Sequence, residues 1–197
     1  PNQIELKHVL QAIATFERTL IDGNSRFDRW YYGGEKSLNE AEIRGFNTFI
    51  GNGRCVSCHA VENTTAIFTD NKFHNIGVGI NKLSEKEVSA LTSEFLRADY
   101  DKNQVDVKVL TDPKTSELGR FAVTRRLTDV GAFKTSTLRN INLTAQYMHD
   151  GSLKTLEEVV EHYNRGGASS EKQKMNPCWS GGIRPLNLTA QEKKDLV

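Results

Sequence analysis

No stretch of the chain runs to about 18 consecutive apolar residues, so no helix within it can span a bilayer. Neither charge dominates: 26 Lys and Arg stand against 25 Asp and Glu, which removes the usual footprint of a nucleic-acid binder or of a protein held on an anionic membrane. No internal repeat, low-complexity tract or signal peptide is visible. Cysteine is scarce, three residues in 197, but two of them sit together with a histidine in "NGRCVSCHAVENTT", residues 52–65. The third, Cys178 in "NPCWSGG", has no obvious partner. It reads as a half-buried bystander, with a link to another chain or a modified group as the other reading.

A C-x-x-C pair can be half of a zinc site, a thioredoxin-type redox pair, or the attachment point of a c-type haem. A structural zinc site wants a second Cys or His pair, whereas His8, His74, His149 and His162 are all isolated. A redox pair opens a helix after a buried strand, but the residues before Cys55 read as an amphipathic helix ending in Gly51-Asn52-Gly53. Covalent haem uses all three residues. Cys55 and Cys58 add to the two vinyl groups, and the adjacent His59 is thereby placed under the iron. Such haem is attached outside the cytoplasm, so a periplasmic or similar location is expected, with a leader removed or lying upstream.

Helical periodicity dominates the rest. Leu6, Val9, Leu10, Ile13, Phe16 and Leu20 form one stripe, stopped by Asp22-Gly23-Asn24. Ser37 to Glu40 reads as a capping box ahead of Ile43, Phe46, Phe49 and Ile50, and Ser84 to Glu87 as another ahead of Val88, Leu91 and Phe95. "FTDNKFHNIGVGI" is a glycine-punctuated loop suited to wrapping a flat cofactor, and the alternation of "VDVKV", residues 105–109, suggests a short strand. Asp99, Asp101 and Asn103 imitate the start of an EF-hand, but Gln104 stands at the turn glycine and Leu110 at the bidentate glutamate, so a solvated acidic loop is expected.

The second axial position of the iron separates electron carriage from chemistry. His74, Met148, His149, His162, Tyr163 and Met175 could fill it. In "LKTLEEVVEHYNRGG", Thr155 and Glu158 form a capping box and Gly166 or Gly167 stops the helix. Leu156, Val159, Val160 and Tyr163 then share an apolar face. Glu158, Glu161, His162 and Arg165 share the opposite one, so His162 is expected in solvent. Tyr163 points inward, either as a ligand or as a core tyrosine with its hydroxyl bonded to backbone.

Three segments in order, "ATFERTLIDGNSRFDRWYYGGEKSLNEAEIRGFNTFIGNGRCVSCH", "GRFAVT" and "FKTSTLRNINLTAQYMHDGSLKTLEEVVEHYNRGG", resemble the C-terminal haem domain of bacterial dihaem cytochrome c peroxidases and their relative MauG. Residues 82–116 match least. The resemblance implies Cys55 and Cys58 as thioether positions and His59 as the proximal ligand. It implies a second ligand fourteen residues after the histidine of the "Y-x-H-x-G" motif, a methionine in dihaem peroxidases and a tyrosine in the MauG branch; counting from His149 gives Tyr163. A hard anionic oxygen would lower the haem potential where a thioether raises it. It further implies a calcium ion held partly by backbone carbonyls, here of Thr144 and Gln146, where the usual proline has become Gln146. Arg120 and Arg139 are candidates to pair with the haem propionates, with ordinary surface arginines as the alternative.

The expected fold is therefore mainly α, a cytochrome-c-like helical haem domain with long loops and at most a minor β-hairpin. Residues 1–24 are expected to link it to an N-terminal haem domain that is not in this stretch, and residues 25–197 to form the C-terminal haem domain, incomplete where the capped helix begun by Thr189 and Glu192 stops. The resemblance implies the haem c half of a periplasmic dihaem oxidoreductase of MauG type. It would share oxidising equivalents from hydrogen peroxide at a second haem and draw electrons from a redox partner or protein substrate. The alternatives are a dihaem cytochrome c peroxidase fed by a small redox protein, and a monohaem electron carrier or haem subunit of a larger complex.

Overall fold

A computed structural model describes residues 3–167 and 178–197; Met175 lies outside them. The chain divides into two compact units, residues 1–37 and 38–197. The first carries α1 (Leu6–Glu17) and α2 (Arg26–Tyr31). The stripe Val9, Leu10, Ile13 and Phe16 does lie on a helix, but α1 buries none of its residues and ends before Leu20.

In the second unit the described helices are α3 (Glu40–Ile50), α4 (Glu85–Arg97), α5 (Lys102–Thr111), α6 (Pro113–Ser116), α7 (Phe121–Thr124), α8 (Leu156–Asn164) and α9 (Ala190–Asp195). The described sheet is one antiparallel pair of two-residue strands, β1 (Phe73–His74) and β2 (Phe133–Lys134), with Phe73 opposite Lys134 and His74 opposite Phe133. The fold is mainly α, and the little sheet joins distant segments instead of forming a local hairpin.

Two local expectations are corrected. Residues 105–109 lie within α5, because Asp101 accepts from the Gln104 amide and the Gln104 side chain returns to the Asp101 amide. This reciprocal cap starts a helix that the β-branched alternation could not signal, and it makes Asp101 a helix cap instead of a loop residue. The cap of α3 is Asn39, paired with Glu42, while Ser37 bonds to the Arg26 carbonyl. The boxes at Ser84, Thr155 and Thr189 form as read.

Ile80, Phe95, Leu118 and Phe121 are each at most 2% exposed and form one cluster with Val105, Ala122 and Val130. Burying each large apolar side chain contributes roughly 1.5–3 kcal/mol, so this cluster anchors α4, α5 and α7 together. Cys178 packs at its margin, its Sγ donating to the Leu127 carbonyl at 2.9 Å. Elsewhere α9 crosses α3 at Gly45, where a Cβ would stand 1.9 Å from the Asp195 carbonyl oxygen. Only glycine allows that approach. Arg44 pairs with Asp195 at 2.8 Å beside it, and Asn52 donates to Glu192 at 3.1 Å. The helix that leads into the cysteine motif is thus held from outside by α9.

Candidate functional site

The chain leaves α3 through a tight reversal in which the Gly53 amide donates to the Thr48 carbonyl at 2.8 Å. Cys55–Ser57 then form a single 3₁₀ turn. The amides of Cys58 and His59 both donate to the Cys55 carbonyl, at 3.2 and 2.8 Å, so one turn carries both thiols and the imidazole. The Nδ1 of His59 lies 2.8 Å from the Phe68 carbonyl oxygen. A carbonyl only accepts, so Nδ1 holds the proton and Nε2 keeps its lone pair for a metal. Burial pushes the His59 pKa down, against the pull of the Phe68 carbonyl and the Asp70 charge. The neutral ring is the ligating form.

These surroundings separate the three readings of the motif. Burial pushes the Cys55 thiol up to about 11 and also raises Cys58. A dithiol redox pair needs the opposite, a stabilised thiolate, and a helix, not a strand, precedes this one. For zinc, the one cluster of His, Cys, Asp and Glu side chains found among the described residues is Cys58, Asp70 and His74, with ligand atoms within 4.8 Å of one another. It leaves out Cys55 and His59. Two protonated thiols and a neutral imidazole held through its Nδ1 on one turn do fit covalent haem, in which the sulfurs bond to carbon and the nitrogen to iron.

Facing this turn is α8. Thr155 caps it reciprocally with Glu158, and Gly166 and Gly167, at φ 88° and 80°, end it. Tyr163 is half-buried, and its phenol pKa is raised first by burial and then by the Cys58 and Cys55 thiols. The tyrosine and both cysteines are therefore near enough to interact electrostatically. No group among the described residues hydrogen-bonds the Tyr163 hydroxyl, unlike the ordinary core tyrosine considered as its alternative.

Among the other axial candidates, His74 and His149 are engaged elsewhere. His74 Nε2 is 2.8 Å from Asp70 Oδ2. His149 Nε2 is 2.8 Å from Glu117 Oε2, and its ring stacks on Phe133 with centroids 3.5 Å apart. Met148 sits in a left-handed turn, φ 69°, before α8. His162 is a correction: it is 8% exposed instead of solvated, and its Nε2 is buried with no hydrogen-bond partner among the described residues. Residues of the Gly77–Lys82 and Asp150–Leu153 segments line an open cleft of about 200 Å³ with His162. His162 alone of that polar face is covered, while Glu158 and Arg165 stay exposed. Burial, then the Arg165 charge, lowers the His162 pKa to about 4.

Comparison with known proteins places this geometry in a family. The model of the di-haem cytochrome c peroxidase family matches residues 1–37. The methylamine utilization protein MauG of Methylorubrum extorquens is 34% identical over 98% of this chain and 43% of its own length. The cytochrome-c peroxidase IdrP1 of Denitromonas iodatirespirans is 32% identical over 94% of this chain and 46% of its own. The chain belongs to the dihaem cytochrome c peroxidase and MauG family. A crystal structure of a MauG-like protein associated with microbial copper homeostasis superposes with a TM-score of 0.64 at 33% identity, covering 98% of this chain and 55% of that one. The chain thus spans less than half the length of these curated relatives. Haem c is the cofactor this family implies, and oxidoreductase its class.

Against the family pattern, the remaining residues fall as follows. Arg139 donates from Nε to the Ala66 carbonyl at 2.8 Å, with its guanidinium 5.5 Å from the ring of Phe68, whose carbonyl holds His59. Arg120 lies over the Phe73 ring at 4.0 Å and 3.4 Å from Asp129. Thr144 and Gln146 are exposed on the turn that Tyr147 closes by donating to the Ile141 carbonyl at 2.9 Å. No helix among the described residues is long and apolar enough to cross a membrane.

Sequence reading missed the pair Asp70 and His74. The His74 ring and the Lys72 amide, at 2.9 Å, both bond the Asp70 carboxylate. Burial pushes the Asp70 carboxyl pKa up, but the Lys72 amide, His74 and Thr135 outweigh it, and the net shift is downward. The i, i+4 spacing was readable, but nothing local tied it to Cys58.

Proposed function

We propose that the chain is the haem c half of a dihaem oxidoreductase resembling MauG, acting outside the cytoplasm, with Cys55 and Cys58 bonded to the haem, His59 as proximal ligand and Tyr163 opposite it. The observation that carries this reading is the single turn that presents Cys55, Cys58 and His59 together, with the His59 Nδ1 held at 2.8 Å by the Phe68 carbonyl, and Tyr163 near both cysteines with no described group bonding its hydroxyl. A bound haem supplies one-electron redox chemistry at iron. The chain's own residues set its terms. Phe68 orients His59. Tyr163 would hold the iron as a hard oxygen donor, which favours oxidised iron. Arg120 and Arg139 pair with the propionates, and the Thr144 and Gln146 carbonyls serve a calcium ion.

Residues 1–24 would link this half to a second haem domain outside these residues, and the haem held here would supply one-electron chemistry between hydrogen peroxide, as oxidant, and a redox partner or protein substrate, as electron donor. The uncovered apolar stripe of α1 and the twofold length of the relatives support that division. The IdrP1 relative, at an identity close to that of MauG, favours one second reading, a dihaem cytochrome c peroxidase. Residue 163 discriminates between them. Intact mass should show haem retained after denaturation, and Tyr163→Phe should change the ferric spectrum. An apo mass overturns the haem assignment, and an indifferent spectrum returns Tyr163 to the core and favours the second reading.

A further inference from the structure

The Asp70 carboxylate is placed with unusual care for a side chain with no part in the motif. Its Oδ2 takes the His74 ring at 2.8 Å, and Oδ1 takes the Lys72 amide at 2.9 Å. His74 itself lies in β1, paired with Phe133 of β2, and the Thr135 amide donates to the Lys72 carbonyl at 2.9 Å. The carboxylate is therefore fixed to the small sheet, with 12% of its side chain exposed and 25% of that of His74. Cys58 Sγ, an Asp70 oxygen and a His74 ring nitrogen lie within 4.8 Å of one another. Whatever is bonded to Cys58 begins within reach of that anion.

We propose that Asp70, held in place by His74, is the fixed negative charge that sets the reduction potential of the haem carried by Cys55 and Cys58. The proposal rests on the haem assignment made above. A group holding a third ligand for a metal ion would need Cys58 as a thiolate, but burial and the Asp70 charge both oppose that form. Once Cys58 is a thioether, the remaining action of Asp70 is electrostatic. A charge partly withdrawn from water is weakly screened, and a negative one stabilises the more positive, oxidised iron. Asp70 would thus act in the same direction as an anionic oxygen ligand, from a position beside Cys58. His74 is a positioning residue, acting through Asp70.

The test is a spectroelectrochemical titration of the haem-loaded protein, followed at the haem whose spectrum responds to Tyr163→Phe. Asp70→Asn should raise the potential by on the order of tenfold in the ferric to ferrous ratio, about 59 mV for one electron. Asp70→Glu should stay near the wild-type value. His74→Ala should shift in the same direction by less, and adding it to Asp70→Asn should change nothing further. An Asp70→Asn protein that carries haem at the wild-type potential overturns the proposal, as does a His74→Ala effect of full size in the Asp70→Asn background. Should Asp70→Asn fail to load haem, His74→Ala decides alone: an upward shift supports the proposal, an unchanged potential overturns it. A wild-type protein without covalent haem fails differently, removing the cofactor assignment and this proposal together.

Discussion

The cluster around Phe95 and Phe121 and the pocket between the Cys55–His59 turn and α8 solve opposite problems within one unit. The first is closed: its large side chains are almost wholly buried, all apolar, and need nothing further. The second keeps Tyr163 without a described hydrogen-bond partner, two half-buried thiols held protonated, and an imidazole kept neutral by its surroundings. Polar groups in such surroundings are costly unless something satisfies them. Stability resides in the first region and reactivity in the second, and α4, α5 and α7 can hold the scaffold without the pocket being optimal on its own.

The largest expected effect breaks the pocket and spares the core. Replacing Cys55 and Cys58 together by alanine should abolish covalent haem, seen as the apo mass under denaturing conditions, while far-UV circular dichroism of the chain stays helical. The reverse experiment is Phe95→Ala, which should cost about 3–5 kcal/mol in denaturant unfolding by leaving a cavity at a fully buried site, with the haem spectrum unchanged in molecules that remain folded. Tyr163→Phe should open a coordination position in the ferric spectrum, and Tyr163→Met should raise the potential, since a neutral thioether favours ferrous iron relative to an anionic oxygen. His162→Ala, one residue away, should leave the spectrum nearly untouched.

The smallest effect concerns pH. Burial pushes the Asp150 carboxyl up, but hydrogen bonds from Lys82 and Ser152 outweigh it and hold the pKa at about 2. A carboxyl depressed in the folded state contributes stability that is fully present above its ordinary pKa and lost as pH falls through the folded value. Asp150→Asn should therefore lower the thermal stability at pH 7 and flatten the acid limb of the stability curve between about pH 4 and pH 2, with little change near pH 2.

What could be read from the sequence was whatever is local. The cysteine and histidine spacing is fixed by bonding geometry, and the boxes at Ser84, Thr155 and Thr189 are satisfied within one turn of backbone. Tyr163 was readable because an amphipathic face and a capping box set its phase. His162 was misread because a helical wheel records which residues are polar, not that the Gly77–Lys82 segment lies beside one of them. The strand expected at 105–109 failed where a four-residue cap outweighed β-branched alternation. The role of Asp70 beside His74 was hidden for a related reason. It depends on nearness to Cys58 across a loop, and no periodicity encodes that.

The crossing of α9 over Gly45 also has a meaning in time. Asn52, at the mouth of the cysteine turn, bonds to Glu192, which lies 140 residues later in the chain. At ordinary rates of synthesis that interval is on the order of ten seconds. Through it, α3 has no partner at the surface from which the cysteine turn is braced, so the attachment residues exist well before their support does. The last helix described thus works as a late clasp, and a chain shortened before Thr189 should carry its haem on a loosened turn.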